Sequence, residues 1–178
     1  MSTTTERPRP GRAALFRGAN GWLPLQPKVL GLRSPEVTVI GGPYSACPEG
    51  VFGVCLLEAG PRADQGCAVH LPIEDFSVPA DAARVTRALE QTLGQLVRGR
   101  QVYVGCAGGW GRTGLFLSLL AKVAGEAEPV AYVRRHYSPR AVETEQQRAY
   151  VEQFPVQALR RRLFWQLLLS WPRRWFGK

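Results

Sequence analysis

The segment Cys106-Ala107-Gly108-Gly109-Trp110-Gly111-Arg112-Thr113-Gly114 joins two apolar runs, Gln101 to Val104 before it and Leu115 to Val123 after it. Few folds accommodate that order. A short β-branched and aromatic run, a glycine-rich turn and a long apolar run read as strand, loop and helix, the opening of a unit that builds a parallel sheet. Five residues separate Cys106 from Arg112, and three of them are glycine. Glycines let successive backbone N–H groups converge on one point, and a helix N-terminus adds partial positive charge there. The planar fork of Arg112 can hold two oxygens of an anion. The same field favours a thiolate on Cys106, a nucleophile aimed at whatever the loop holds. The competing reading is a tight turn with a buried cysteine, but such a turn has no need of Arg-Thr-Gly after the glycines.

These residues resemble the signature loop of the protein tyrosine and dual-specificity phosphatases, Cys-(X)5-Arg-(Ser/Thr). Cys106, Arg112 and Thr113 match it, and Gly109, Gly111 and Gly114 fall in familiar places. The resemblance implies that Cys106 attacks phosphorus and that Ala107, Gly108, Gly109, Trp110, Gly111 and Arg112 bind the phosphate. It further implies that Thr113 assists the departing sulfur and that no cofactor or metal is needed. Upstream, Pro72-Ile73-Glu74-Asp75-Phe76-Ser77-Val78-Pro79 is similar to the general-acid loop of the phosphatases associated with cyclin-dependent kinases, Pro-Ile-X-Asp-X-X-X-Pro. Asp75, 31 positions before Cys106, then takes the role of acid. Glu74 is a second carboxyl beside it, and a turn or cap role for Asp75 is the alternative, although Asp81 lies nearer the next helix. Downstream, Glu143-Thr144-Glu145-Gln146-Gln147 resembles the late glutamine loop, Gln-Thr-X-X-Gln. Glu143 stands where glutamine is common, which leaves Gln147 as the candidate for water positioning. Thr144 and Gln147 also carry the pattern of a helix capping box, and both readings can hold together.

One departure from the family pattern is Gly105, where the residue before the cysteine is usually a histidine that helps fix the loop. A loop with Gly105, Gly108, Gly109 and Gly111 is expected to be the more flexible for it. His70 and His136 lie elsewhere, and with the scattered Cys47, Cys55 and Cys67 they give no metal-ligand spacing.

At 178 residues and 45% hydrophobic content the chain predicts one domain with a real core. The expected class is α/β: a mainly parallel sheet of four to five strands covered by helices on both faces, with the loop at a strand's carboxyl end. Strands are expected at Val37–Ile40 (ended by Gly41-Gly42-Pro43), Val51–Leu57 and Ala68–Leu71, and short ones near Trp22–Leu25. Helices are expected over Pro79–Arg98, from Arg112, over Pro129–His136 and over Thr144–Phe154, each from apolar spacing and end signals. The expected organisation is a basic disordered leader over 1–12, a catalytic domain over 13–157 and a basic amphipathic end over 158–178.

The net charge of +9 sits in the flanks, +5 over residues 1–33 and +6 over residues 158–178, with the middle at −2. No stretch reaches the roughly 20 apolar residues of a membrane span, and the beginning lacks the apolar run of a signal peptide. Cytoplasmic residence is expected, and a reducing compartment suits a free thiol. The last twenty residues mix Arg160-Arg161-Arg162 and Arg173-Arg174 with Leu, Trp and Phe. They read as a helix packed on the domain, as a peripheral contact with an anionic membrane or with a protein partner, or, less favoured, as an arm for nucleic acid.

The expected activity is hydrolysis of phosphate monoesters, on phosphotyrosine and also phosphoserine or phosphothreonine in proteins. The lack of lysine in the loop favours a protein monophosphate. The alternatives are an RNA 5′-phosphatase guided by the basic flanks and a catalytically weak phosphate-binding module.

Overall fold

The computed structural model describes residues 18–29, 32–33, 36–62 and 66–175, so the leader expected over 1–12 lies outside the described residues. Seven strands are described: β1 (Gly21–Leu25), β2 (Lys28–Val29), β3 (Leu32–Arg33), β4 (Val37–Pro43), β5 (Phe52–Cys55), β6 (Val69–His70) and β7 (Val102–Cys106). The central sheet runs β1-β4-β7-β5-β6, and β2 pairs with β3 in a separate antiparallel ribbon. All pairs in the central sheet are parallel except β1 with β4. β7 lies in the middle and every one of its residues is buried, so its hydrophobic run is continuous rather than alternating.

Five helices are described: α1 (Ala82–Val97), α2 (Gly111–Ala124), α3 (Pro129–His136), α4 (Glu145–Gln153) and α5 (Gln157–Trp175). Asp81 caps α1, its Oδ1 accepting from the N–H groups of Ala83 (2.8 Å) and Arg84 (3.1 Å), which leaves Asp75 without that duty. Gly125, at φ 103°, ends α2 in the left-handed cap that favours glycine. Lys122 Nζ donates to the carbonyls of Val151, Glu152 and Phe154, satisfying the end of α4.

α2 is apolar nearly all round because it is the hub of the helical layer. It packs on β7, β4 and β1 and touches the other four helices. Val39, Val54, Val102, Val104 and Cys106 face that layer and share its core. The expectation of helices on both faces is corrected here. Among the described residues all five helices lie on this one face. The other face carries Ile40 and Tyr103, covered by Ala19, Trp22, Val51 and the 3-10 turn Tyr44–Ala46 with Cys47 after it.

A second correction concerns Gly41-Gly42-Pro43, which continues β4 instead of ending it. A side chain at Gly41 would meet the Tyr137 ring at 2.7 Å, and one at Gly42 would meet Tyr103 Oη and the backbone of Ala19 and Asn20. The glycines are there because aromatic rings press on both faces of the strand, and the extended backbone persists between them. The expected strands at 51–57 and 68–71 are trimmed to β5 and β6.

Candidate active site

The loop from Cys106 to Arg112 crosses the carboxyl end of β7 and enters α2 at Gly111, as the order of residues predicts. Its peptides are oriented from outside. Asn20 Nδ2 donates to the Gly108 carbonyl at 2.7 Å, and the Tyr137 hydroxyl donates to the Gly109 carbonyl. In a trans peptide the C=O and the following N–H point opposite ways. Pulling these two carbonyls outward therefore turns the N–H groups of Gly109 and Trp110 inward. The first reaches Cys106 Sγ at 3.2 Å, at the floor of the loop. Gly109 sits at φ 77°, and a side chain there would collide with Gly42 and Asn20. Burial, then the neighbouring Cys106, pushes the Tyr137 phenol well above its ordinary range, so it stays a neutral donor.

Gly105 is explained by the same packing. A Cβ on it would lie 2.8 Å from both Tyr44 N and Tyr44 Cα and 2.9 Å from the Gly42 carbonyl oxygen. The backbone of the 3-10 turn occupies the place of the family's usual histidine, and Asn20 and Tyr137 anchor the loop instead. Neither anchor has a sequence signal: they lie 88 and 28 positions from the carbonyls they hold.

Arg112, 6% exposed, comes from the first turn of α2. Its Nη1 donates to the Ile73 carbonyl at 3.0 Å, and its Nη2 pairs with Asp75 Oδ1 at 2.9 Å. The structure thus sets Asp75 on Arg112, at the helix end of the loop that begins with Cys106. Asp75 is 63% exposed on a loop at its rim. Thr113 is fully buried beneath the loop, and its hydroxyl makes no hydrogen bond with the described residues. Glu74 is exposed, its carbonyl closing a turn with Ser77 N.

Gln147 is fully buried. Its backbone N–H donates to Thr144 Oγ1 while its Oε1 accepts from the N–H groups of Glu143 (2.9 Å) and Thr144 (3.4 Å), the reciprocal capping box of α4. Its Nε2 donates to the Ser77 carbonyl at 3.1 Å, and Thr144 Oγ1 donates to the Phe76 carbonyl at 3.2 Å. The start of α4 therefore holds the acid loop in place. Phe76, next to Asp75, has φ 56° and is 59% exposed. At the other rim the Arg140 guanidinium lies over the Trp110 ring, 3.7 Å from its centroid.

The histidines stand apart: exposed His70 bonds the Leu57 carbonyl through Nε2, and His136 stacks on Tyr132. Among the described residues no group of three or more His, Cys, Asp or Glu side chains is placed to hold a metal ion.

The loop thus carries a thiol at its start, a buried arginine at its end and, on that arginine, a carboxyl from a second loop. Residues 59–161 match the model of the DSP-PTPase phosphatase domain of Swiss Army Knife proteins, PTP-SAK. The chain belongs to that family, as its signature loop and its mostly parallel five-stranded sheet indicate. Among curated proteins it is similar to Uncharacterized protein MJECL20 of Methanocaldococcus jannaschii, 37% identical over 97 residues that make up 53% of this chain and 61% of that one. It is also similar to Uncharacterized protein MJ0215 of the same organism, 34% identical over 48% of this chain and 54% of that one. The chain thus matches little more than half the length of these relatives. Among solved structures it is similar to Tk-PTP in its active form, with 25% identity over 58% of this chain and 78% of that one and a TM-score of 0.49. A kinase associated phosphatase whose catalytic cysteine is replaced by serine is 20% identical, covering 64% of this chain and 71% of that one, with a TM-score of 0.48.

Proposed function

We propose that the chain hydrolyses phosphate monoesters through a cysteinyl-phosphate intermediate, with phosphotyrosine in proteins as its main substrate class. The observation that carries this reading is the inward Gly109 N–H on Cys106 Sγ, in the same loop whose Arg112 is held by the Ile73 carbonyl and Asp75. The loop amides and Arg112 would hold the three non-bridging oxygens, where transition-state charge collects. The substrate's oxygens compete with Asp75 for Arg112 Nη2 and free the carboxyl to protonate the leaving oxygen. Cys106 attacks in line, the P–O bond breaks, and phosphate passes to sulfur. Two features support an aromatic ester. The loop carries no charge besides Arg112, and the exposed Phe76 ring stands beside Asp75.

Vanadate-sensitive hydrolysis of para-nitrophenyl phosphate without added metal tests this, with Cys106→Ser as partner. Loss of turnover with the cysteine is expected; equal turnover in both proteins refutes the reading. Phosphotyrosine peptides are expected to be cleaved faster than phosphothreonine ones, and Phe76→Ala to narrow the difference by raising KM for the former. Activity on triphosphorylated RNA but not on peptides would favour the 5′-phosphatase alternative.

A separate observation concerns α5. Leu159, Leu163 and Leu167 bury one side of it against the domain, and Arg162 pairs with Glu90 of α1. Arg161, Trp165 and Leu168 follow one another at i, i+4 and i+7 on the side left exposed, Trp165 at 59% and Leu168 at 41%. No described helix is long and apolar enough to cross a membrane. We infer that this stripe, in a segment with six basic and no acidic residues from 158 to 178, lies on an anionic membrane surface. Co-sedimentation with phosphatidylserine vesicles, lost with pure phosphatidylcholine or in Trp165→Ala/Leu168→Ala, is expected. Retention on RNA in place of vesicles would overturn it.

A further inference from the structure

The three cysteines outside the phosphate loop are distant in sequence but not in space. Val54 faces the helical layer, so its neighbours Gly53 and Cys55 along β5 turn to the opposite face of the sheet. There the 3-10 turn lays Tyr44 and Cys47 over β5. A Cβ at Gly53 would strike the Tyr44 hydroxyl and lie 3.1 Å from Cys47 Sγ. The Tyr44 hydroxyl donates to the Gly66 carbonyl at 2.8 Å, which brings the next residue, Cys67, to the same place. Cys67 hydrogen-bonds both Tyr44 and Cys55, and Cys47 hydrogen-bonds Tyr44. Three thiols therefore surround one phenol. Cys106 is not among them, because it faces the helical layer with Val102 and Val104.

The three sulfurs are unequal. Cys55 is fully buried, while Cys47 and Cys67 are half-buried. Cys47 is hydrogen-bonded to the phenol, whereas Cys67 combines access to solvent with a direct contact to a second thiol. Its own S–H donates to the Val69 carbonyl at 3.0 Å, which fixes the sulfur at the entry to β6. The cluster is no metal centre, since among the described residues no group of three or more His, Cys, Asp or Glu is placed to hold an ion. What two sulfurs in contact can still do is bond to each other.

We propose that Cys55 and Cys67 form a peroxide-reactive dithiol, a modification site separate from the phosphate loop. The Cys67 sulfur attacks one oxygen of hydrogen peroxide, the O–O bond breaks and water leaves, so that Cys67 becomes a sulfenic acid. The Cys55 sulfur then attacks the Cys67 sulfur. The S–O bond breaks, the S–S bond forms at about 2.05 Å, and a second water leaves with the Cys55 proton. Two thiols lose two electrons and the peroxide gains them. The bond ties the end of β5, where Cys55 pairs with Gly105 of β7, to the segment that enters β6. The site stands independently of the phosphatase reading.

The test is treatment of the reduced full chain with a small excess of hydrogen peroxide, followed by alkylation of the remaining thiols and peptide mass spectrometry. The chain has four free cysteines, and Cys106→Ser removes the phosphate-loop thiol from the count. In that variant the three remaining thiols are expected to fall to one, with a peptide pair linked through Cys55 and Cys67 that dithiothreitol separates. The wild-type chain is expected to give the same linked pair. Cys47→Ser is expected to form the bond at the wild-type rate. Cys67→Ser, a change of one atom at a half-buried position, is expected to lose the linked pair and keep Cys55 alkylated. A bond from Cys67 to Cys47 or to Cys106, sulfinic acid at Cys67 with Cys55 still free, or thiols left unchanged by the peroxide would overturn the proposal.

Discussion

The two loops that meet at this site are held in contrasting ways. The phosphate loop is wedged. Its residues Cys106, Gly109, Gly111 and Arg112 are buried, its carbonyls are tied to Asn20 and Tyr137, and backbone crowds Gly105. The acid loop is strapped. Glu74, Asp75 and Phe76 are exposed, and the loop is tied to the rest of the site by Thr144 on the Phe76 carbonyl, Gln147 on the Ser77 carbonyl and Arg112 on the Ile73 carbonyl and on Asp75. The contrast suits the chemistry that the proposed function would ask of each. Electrostatic stabilisation works only if donors are in place before charge develops, so the cradle is rigid by construction. A proton donor must part from Arg112 and reach a leaving oxygen, so it is carried on a segment that can yield.

The comparison can be broken from the cradle side first. Arg112→Lys keeps the charge but loses the fork that spans Ile73 and the anion. The expected loss in kcat/KM for aryl phosphates is on the order of 10³-fold, and a loss under tenfold would show that the fork is dispensable. On the strap side, Gln147→Ala should slow substrates with poor leaving groups by about tenfold or more while sparing dinitrophenyl phosphate, the signature of a displaced general acid. Equal slowing of both substrates would instead point to damage in the cradle.

Smaller effects sharpen the picture through stability. Gly105→His has no room, so it should lower the urea midpoint by an amount corresponding to about 1–3 kcal/mol and should not improve turnover. Tyr137→Phe leaves the buried Gly109 carbonyl without its partner, at a cost of about 1–3 kcal/mol, and kcat should fall with it. The smallest effect is one of pH. Burial pushes the Cys47 and Cys55 thiols up from 9.0 to about 11. Their folded-state values are raised, so their contribution is fully present below about pH 9 and is lost as pH rises toward 11. Denaturation midpoints measured from pH 7 to 11 should fall across that window, and Cys55→Ala should flatten the fall.

Much of this was legible in the chain. The Cys106–Arg112 spacing and the apolar runs around it marked the βα unit, and Asp75 upstream pairs with Arg112, because these signals are local and chemically specific. Asp81 as the cap of α1 and the Thr144–Gln147 capping box were readable for the same reason. What could not be read was set by contacts distant in sequence. Asn20 and Tyr137 carry no motif, yet they orient the loop. Gly41-Gly42-Pro43 looks like a strand ending until Tyr137 and Tyr103 are seen pressing on it. The absence of histidine at Gly105 suggested a looser loop, whereas the structure fills that space with the backbone of Tyr44. Glycine-rich sequence signals either freedom or crowding, and only the neighbours decide which.

The central claim is that the Cys106 sulfur receives the phosphoryl group. Acid quenching of the protein during turnover of para-nitrophenyl phosphate, followed by peptide mass spectrometry, addresses it directly. Phosphate on the peptide containing Cys106, and its disappearance in Cys106→Ser together with turnover, is the predicted result. Undiminished turnover in that variant, or phosphate carried by a different residue, would contradict it.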